Sequence, residues 1–250
     1  MHQFTHRLAL VLFGLVAVAS PAPAEDAVRL IQPKPVIELF TSQGCSSCPA
    51  ADVLLGEYAR RGDVVALSMP VDYWDYLGWK DTLANAKFTA RQREYAARRG
   101  DGQVYTPQIV VDGSARVVGS DRATVAKAVT SAATRCKSSP ITIGLSMGRT
   151  TMQIALDIGP TAPATELEGT VWVAVVRPEV PVAIQRGENR GKTVIYHNVV
   201  RELIPVGLWS GGATRLKLDR SAIMTSPGER SAAIVQQGKG GPIIAAGWFE

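Results

Sequence analysis

The strongest constraint on the fold is a pair of cysteines placed between a strand pattern and a helix pattern. The apolar run 36–40 predicts a buried strand, and Cys45 and Cys48 follow it after a short turn. Apolar residues then recur at helical spacing over 50–61, and an uncharged run at 64–68 predicts a second strand. The chain therefore begins with a strand–helix–strand unit, which implies a parallel pair of strands and a right-handed crossover.

The pattern continues with helices and short strands as far as Pro140. The periodicities and turn residues predict a helix over 85–99, strands over 108–111 and 115–118, and a helix over 121–135. Beyond Pro140, short alternating apolar–polar runs are separated by turns rich in Gly, Pro and Asn. The expected fold is an α/β domain over 25–140, followed by an all-β, antiparallel sandwich-like domain over 141–250.

The first 24 residues have the layout of a secretory signal peptide. Arg7 provides a basic start, 8–19 is an unbroken apolar run, and Ala22-Pro23-Ala24 fits an A-x-A cleavage site. The apolar run is short for a membrane span, so we expect cleavage after Ala24 and no stable membrane anchor afterwards. The sequence thus predicts a periplasmic or secreted protein.

Charge and cysteine content exclude several classes of protein. The net charge of +5 is spread along the chain, and no basic stripe interleaves with aromatic residues as a nucleic-acid groove requires. Three cysteines are too few for a disulfide-built scaffold. Zinc requires a second ligand pair, and the chain has neither a second CxxC nor a histidine cluster, with His197 the one histidine after the signal segment.

The position of Cys45 and Cys48 favours redox chemistry. A helix N-terminus stabilises a thiolate over a thiol, so Cys45 is the expected nucleophile and Cys48 the resolving thiol one turn further in. Ser46 and Ser47 are candidate hydroxyl donors to the thiolate. An inert disulfide staple is the alternative for this pair. Cys136 is left over, and we expect a buried free thiol there.

Two other segments are candidates for the substrate side of the site. Thr106-Pro107 precedes the strand at 108–111, and in this element order a cis-proline there presents backbone to a bound peptide opposite the cysteine turn. The segment 71–81 is the most aromatic of the chain, and Tyr73 and Trp74, with Tyr76 and Trp79, are candidates for a wall beside that turn. Filling of the core is the alternative role for these rings.

Several strings resemble an exported bacterial family, the domain of unknown function 1223, within the thioredoxin-like superfamily. These strings are VIELFTSQGCSSCPAAD, VDYWDYLGWKD, FTARQREYA, VYTPQIVVDG and GENRGKTVIYHNVVREL. The resemblance implies a thioredoxin-like domain with a β domain after it, and no established reaction. This chain has Met69-Pro70 where the family usually has an aromatic–His pair. Thioredoxins carry a buried acid on the strand that enters the motif, which makes Glu38 a candidate for proton transfer.

These observations favour an exported thiol–disulfide oxidoreductase that acts on protein or small-molecule disulfides and needs no cofactor. One alternative is a copper-binding protein that uses the same two thiols, since thiolates suit a soft ion. Another is a binding module in which the CxxC disulfide is structural and the β domain does the work.

Overall fold

A computed structural model describes residues 28–158 and 167–249 of the chain. Its helices are α1 (Cys48–Arg61), α2 (Ala86–Arg99), α3 (Arg122–Lys137) and α4 (Arg220–Ile223), with a 3₁₀ turn at Asp75–Leu77. Its strands are β1 (Val36–Thr41), β2 (Val65–Pro70), β3 (Gln108–Val111), β4 (Ala115–Val118), β5 (Ile141–Met147), β6 (Thr151–Ile158), β7 (Gly169–Ala183), β8 (Thr193–Trp209), β9 (Thr214–Asp219), β10 (Arg230–Gln236) and β11 (Ile243–Trp248). The predicted signal segment lies outside the described residues. No helix within those residues is long and apolar enough to cross a membrane.

The predicted strand–helix–strand unit is confirmed, and it forms the centre of a layered structure. β1 and β2, which precede and follow α1 in the chain, pair in parallel. β3 runs antiparallel to β1, and β4 runs antiparallel to β3. All six residues of β1 are buried, because its side chains alternate between two hydrophobic cores, one on each face of the sheet. Residues such as Ile37 and Leu39 face α1 and α3, whereas Val36 and Phe40 face α2.

The strands predicted after Pro140 are present, but they do not form a separate pair of sheets. β7, β8, β10 and β11 extend the first sheet to eight strands in the order β11-β10-β7-β8-β2-β1-β3-β4. The junction is a short parallel contact in which Ser68 of β2 pairs with Val199 of β8. The structure is therefore mixed α/β, with a large and mostly antiparallel sheet shared by residues on both sides of Pro140.

The remaining strands form a smaller sheet that covers one face of the extension. β5, β6 and β9 pair antiparallel, and their apolar side chains pack against the β7, β10 and β11 side chains that point the same way. The opposite face of the extension packs against α2. A sandwich-like arrangement thus exists locally, but one of its two sheets is the large sheet itself.

Candidate functional site

The two cysteines close the turn between β1 and α1. Cys45 and Cys48 form a disulfide with a Cα–Cα distance of 5.4 Å, and Cys48 is the first residue of α1. The Cys48 N–H donates to the Cys45 carbonyl oxygen at 3.2 Å, and Pro49 follows in the first helical turn. The sulfurs thus lie at the positive end of the helix dipole, where a thiolate is favoured.

Both cysteines are buried, including Cys45, the expected nucleophile. Their exposed fractions are 1% for Cys45 and 0% for Cys48, whereas Ser46 and Ser47 between them are exposed. The Ser47 hydroxyl lies 3.5 Å from the Cys45 sulfur and makes no capping hydrogen bond to α1. Ser47 is therefore positioned to donate to a Cys45 thiolate.

The loop between β7 and β8 covers the cysteine turn. Asn189, 1% exposed, donates through Nδ2 to the carbonyl oxygens of Gln43 at 3.0 Å and Cys45 at 2.8 Å. The neighbouring Glu188 carboxylate accepts a hydrogen bond from the Ser46 N–H at 3.2 Å. Lys192 Nζ donates to the Asn189 side-chain oxygen at 2.9 Å. No local pattern predicts this contact, because more than 140 residues separate the partners.

Asp52 is a buried carboxylic acid one helical turn after Cys48. Its nearest polar partner is the Thr41 hydroxyl on the facing strand, and neither group makes a close hydrogen bond within the described residues. The pKa of Asp52 is raised to about 8, mainly by burial. Of the two smaller influences, the Thr41 hydroxyl lowers this pKa and the Asp81 carboxylate raises it. A signal for this residue existed, since Asp52 falls four residues after Cys48 and three before Leu55, on the face of α1 that must be buried.

Tyr196 of β8 lies near Asp52 and is 1% exposed. Burial raises the pKa of its phenol, and the Asp52 and Asp81 carboxylates raise it further. Burial thus disfavours the charged form of both groups.

Glu38 is buried, but it does not lie beside the disulfide. Its carboxylate accepts from Arg91 Nε at 2.7 Å and from the Tyr95 hydroxyl, both on α2. Because β1 alternates, Glu38 faces α2, whereas the cysteine turn leads into α1 on the other side of the sheet. The buried acid that the structure places behind the disulfide is Asp52.

The Thr106–Pro107 peptide bond is cis, as the element order predicts. The Pro107 carbonyl oxygen accepts from the Gly119 N–H at 2.9 Å. A Cβ added at Gly119 would lie 3.1 Å from Pro107 Cβ and 3.2 Å from the Cβ of Ala51, which fixes Pro107 beside the first turns of α1. The Thr106 hydroxyl is buried with no hydrogen-bond partner among the described residues.

Two of the four aromatic candidates contact the residues that lead into the cysteine pair. A Cβ added at Gly44 would lie 3.1 Å from Trp74 Cβ, and Trp79 Nε1 donates to the Gln43 side chain at 2.8 Å. Tyr73 packs beside Trp74, and burial raises the pKa of its phenol to about 12. Tyr76 is 80% exposed and does not form a wall beside the cysteine turn.

The remaining candidate groups lie apart from the disulfide. Cys136 is a free, partly buried thiol whose pKa burial raises to about 11. His197 packs against Gly56 of α1, where an added Cβ would lie 2.4 Å from the ring, and burial lowers its pKa. Within the described residues, no group of three or more His, Cys, Asp or Glu side chains is arranged to hold a metal ion.

Known proteins share this architecture. HBP35 of Porphyromonas gingivalis is similar over 87% of this chain and 74% of that one, with a TM-score of 0.59. Its 13% sequence identity supports a likeness in fold alone. A crystal structure of a protein from Agrobacterium tumefaciens, determined in a structural genomics programme, is similar over 87% of this chain and 94% of that one, with 31% identity and a TM-score of 0.71.

No functionally curated protein matches this sequence. A family model described as a protein of unknown function, DUF1223, matches residues 36–236, which include the cysteine turn, the cis-proline, the covering loop and most of the large sheet. Because this match spans most of the chain, the protein belongs to the DUF1223 family.

Proposed function

We propose that the protein is a thiol–disulfide oxidoreductase in which Cys45 and Cys48 are the reacting pair. The observation that carries the proposal is the disulfide at a helix N-terminus with a buried carboxylic acid one turn behind it. We also propose that residues 36–136 are a thioredoxin-like unit. The strand order β2-β1-β3-β4, the helices on both faces and the cis-proline before β3 support this assignment.

The first step is attack of the Cys45 thiolate on one sulfur of a substrate disulfide. A new bond forms between Cys45 and that sulfur, the substrate S–S bond breaks, and its other sulfur leaves as a thiolate that takes up a proton. Cys48 then attacks the Cys45 sulfur, which closes the Cys45–Cys48 disulfide and releases the second substrate thiol. Two electrons pass from the cysteine pair to the substrate, and the reverse sequence oxidises a dithiol.

Asp52 has the properties of the group that accepts the Cys48 proton in the second step. Its position on the same face of α1, four residues after Cys48, places it behind the resolving thiol. A pKa of about 8 lets the group gain and lose a proton near neutral pH, which is the condition for efficient general acid–base catalysis. In this proposal Asp52 takes the role that the sequence resemblance suggested for Glu38.

The substrate is expected to bind across the cysteine turn, the Thr106–Pro107 peptide and the rings of Tyr73 and Trp74. The indole N–H of Trp74 is buried without a hydrogen-bond partner among the described residues. This unpaired donor is available to a substrate backbone, and pairing it would recover part of its desolvation cost.

The experiment is a trapping assay with a disulfide-bonded peptide, in a Cys136→Ser background so that only the CxxC thiols react. Cys48→Ser should accumulate a mixed disulfide through Cys45, and Cys45→Ser should not. Equal trapping by both variants would contradict the assigned roles. Asp52→Asn in the otherwise unchanged protein should slow closure of the Cys45–Cys48 disulfide near neutral pH.

The burial of both sulfurs supports a second candidate, in which the disulfide is a structural bridge in a binding module. Buried disulfides resist reduction, and structural ones have reduction potentials below about −300 mV. Measurement of the potential separates the two candidates, because a reactive pair should lie above this value and exchange with a glutathione buffer. A lower potential together with no trapping would favour the structural bridge.

The proposal includes export to the periplasm or beyond, where disulfides persist. The basic, apolar and small-residue pattern over 1–24 supports this location. Edman sequencing of the protein recovered from a periplasmic extract should begin at Glu25, and an intact N-terminus on a cytoplasmic protein would contradict it.

A further inference from the structure

We propose that a cavity between α2 and the extension of the large sheet is a binding site for a small carboxylate with an apolar body. This inference does not depend on the redox proposal. The cavity has a volume of about 510 Å³, within the range of small-molecule sites, and its walls come from α2 and from β7, β8 and β10. It is separated from the cysteine pair by the sheet, because α1 and α2 pack on opposite faces.

One wall of the cavity is apolar. Phe88 of α2, Trp172 of β7 and Leu203 of β8 all line it. Trp172 points to this side because its neighbours Val171 and Val173 face the smaller sheet. An apolar ligand body therefore gains by displacing water from these three side chains.

The floor of the cavity carries buried hydrogen-bond donors without acceptors. Arg91 is 7% exposed, and its five N–H groups make three hydrogen bonds, to Glu38, Gln236 and Tyr95. Two of its N–H groups are thus left without an acceptor among the described residues. The indole N–H of Trp172 is likewise buried with no partner there.

Three of the side-chain acceptors that line the cavity each have a donor partner. The Gln236 side-chain oxygen accepts from Arg91 at 2.9 Å, Glu94 pairs with Lys239 at 3.2 Å, and Glu202 pairs with Arg201 at 3.0 Å. In contrast, Lys87 lines the cavity with no ion-pair partner in the described part of the chain.

The cationic side chains that line the cavity (Lys87, Arg91, Arg201 and Lys239) outnumber its carboxylates (Glu94 and Glu202), and together with the unpaired N–H groups of Arg91 and Trp172 they favour a ligand that supplies acceptors. A carboxylate is an acceptor-only group whose two oxygens match adjacent N–H donors of a guanidinium. An apolar chain or an aromatic ring both fit the wall formed by Phe88, Trp172 and Leu203. The shared chemistry is a monocarboxylate with an apolar body.

The test is calorimetric titration of the purified full-length protein with four probes. Decanoate and indole-3-propionate share the carboxylate but differ in the body, whereas decanol and decyltrimethylammonium keep the apolar chain without the carboxylate. At least one carboxylate should bind, and decanol and the cation should bind at least about tenfold more weakly than decanoate or not at all. Which carboxylate binds tighter identifies the body, and equal binding of decanol and decanoate, or no carboxylate binding at millimolar concentration, would overturn the proposal.

Two variants locate the binding. Ala90 is exposed on α2 at the cavity, so Ala90→Trp should fill the cavity from the solvent side, leave the core intact and abolish binding. Trp172→Phe keeps the ring but removes the unpaired N–H, and should weaken binding about tenfold. The matched control is Trp209→Phe, in the core under the smaller sheet, which should bind as the parent does. Unchanged binding in Ala90→Trp would place the ligand elsewhere and overturn the assignment.

Discussion

At the scale of single residues, Asp52 makes the stability of the protein depend on pH. The unfolded chain releases this proton near the ordinary aspartate pKa of 3.8, whereas burial raises the pKa of Asp52 in the folded protein to about 8. Between these values the folded state binds more protons, so stability falls as the pH rises through this window. We expect Asp52→Asn to reduce this slope and to stabilise the protein at pH 8 by about 2 to 5 kcal/mol. Urea unfolding at pH 5 and pH 8 measures the effect.

Glu57→Gln is the matched control for this prediction. Glu57 lies on the exposed side of the same helix and pairs with Arg122 at the surface. Its loss should leave the slope between pH 5 and pH 8 as in the parent. If Asp52→Asn retained the slope of the parent protein, another group would be responsible for it.

At the scale of elements, we expect the loop between β7 and β8 to limit access to the disulfide, because it bonds to the cysteine turn. Asn189→Ala removes two hydrogen bonds to the carbonyl oxygens of Gln43 and Cys45. Each such bond contributes on the order of 1 kcal/mol, so the covered state should weaken enough to raise the rate of disulfide reduction by dithiothreitol about tenfold or more. Arg190→Ala, exposed in the same loop, should react at the parent rate. Equal rates in all three proteins would show that the loop does not limit access.

The elements themselves could largely be predicted from the sequence, whereas their contacts could not. The strand at Val36–Thr41, the helix at Ala86–Arg99 and the cis bond at Thr106–Pro107 follow from local periodicity and element order. The contact between Cys45 and Asn189 does not, because the two residues lie far apart along the chain. Local patterns report which face of an element is apolar, but they do not report which distant loop covers its end.

At the scale of the whole molecule, the large sheet joins residues on both sides of Pro140. The predicted boundary rests on the change from mixed to alternating patterns, and that change is real at β5. Alternation does not, however, specify which edge a strand joins. The contact between Ser68 and Val199 and the bond from Asn198 Nδ2 to the Ala66 carbonyl oxygen, at 3.0 Å, attach β8 to β2. These contacts involve single positions, which the apolar periodicity of the sequence does not identify.

A buried ion-pair network also spans the boundary, and it provides a test of how the molecule unfolds. Arg91 of α2 contacts Glu38 of β1 and Gln236 of β10. Glu38→Gln leaves the Arg91 charge buried without its partner, which should cost about 3 to 5 kcal/mol. Because the network joins strands from both ends of the chain, we expect the loss to shift one cooperative urea transition, with tryptophan fluorescence and far-ultraviolet circular dichroism moving together.

The double variant Glu38→Gln/Arg91→Met tests the same ion pair by removing both charges. Removal of both charges should recover a large part of the stability that Glu38→Gln loses, since an apolar side chain no longer needs the carboxylate. Lys34→Met, at an exposed lysine near the start of β1, is a control that removes a positive charge without touching the network. Two separate transitions, of which Glu38→Gln moves only one, would show instead that the segments before and after Pro140 unfold independently despite sharing the sheet.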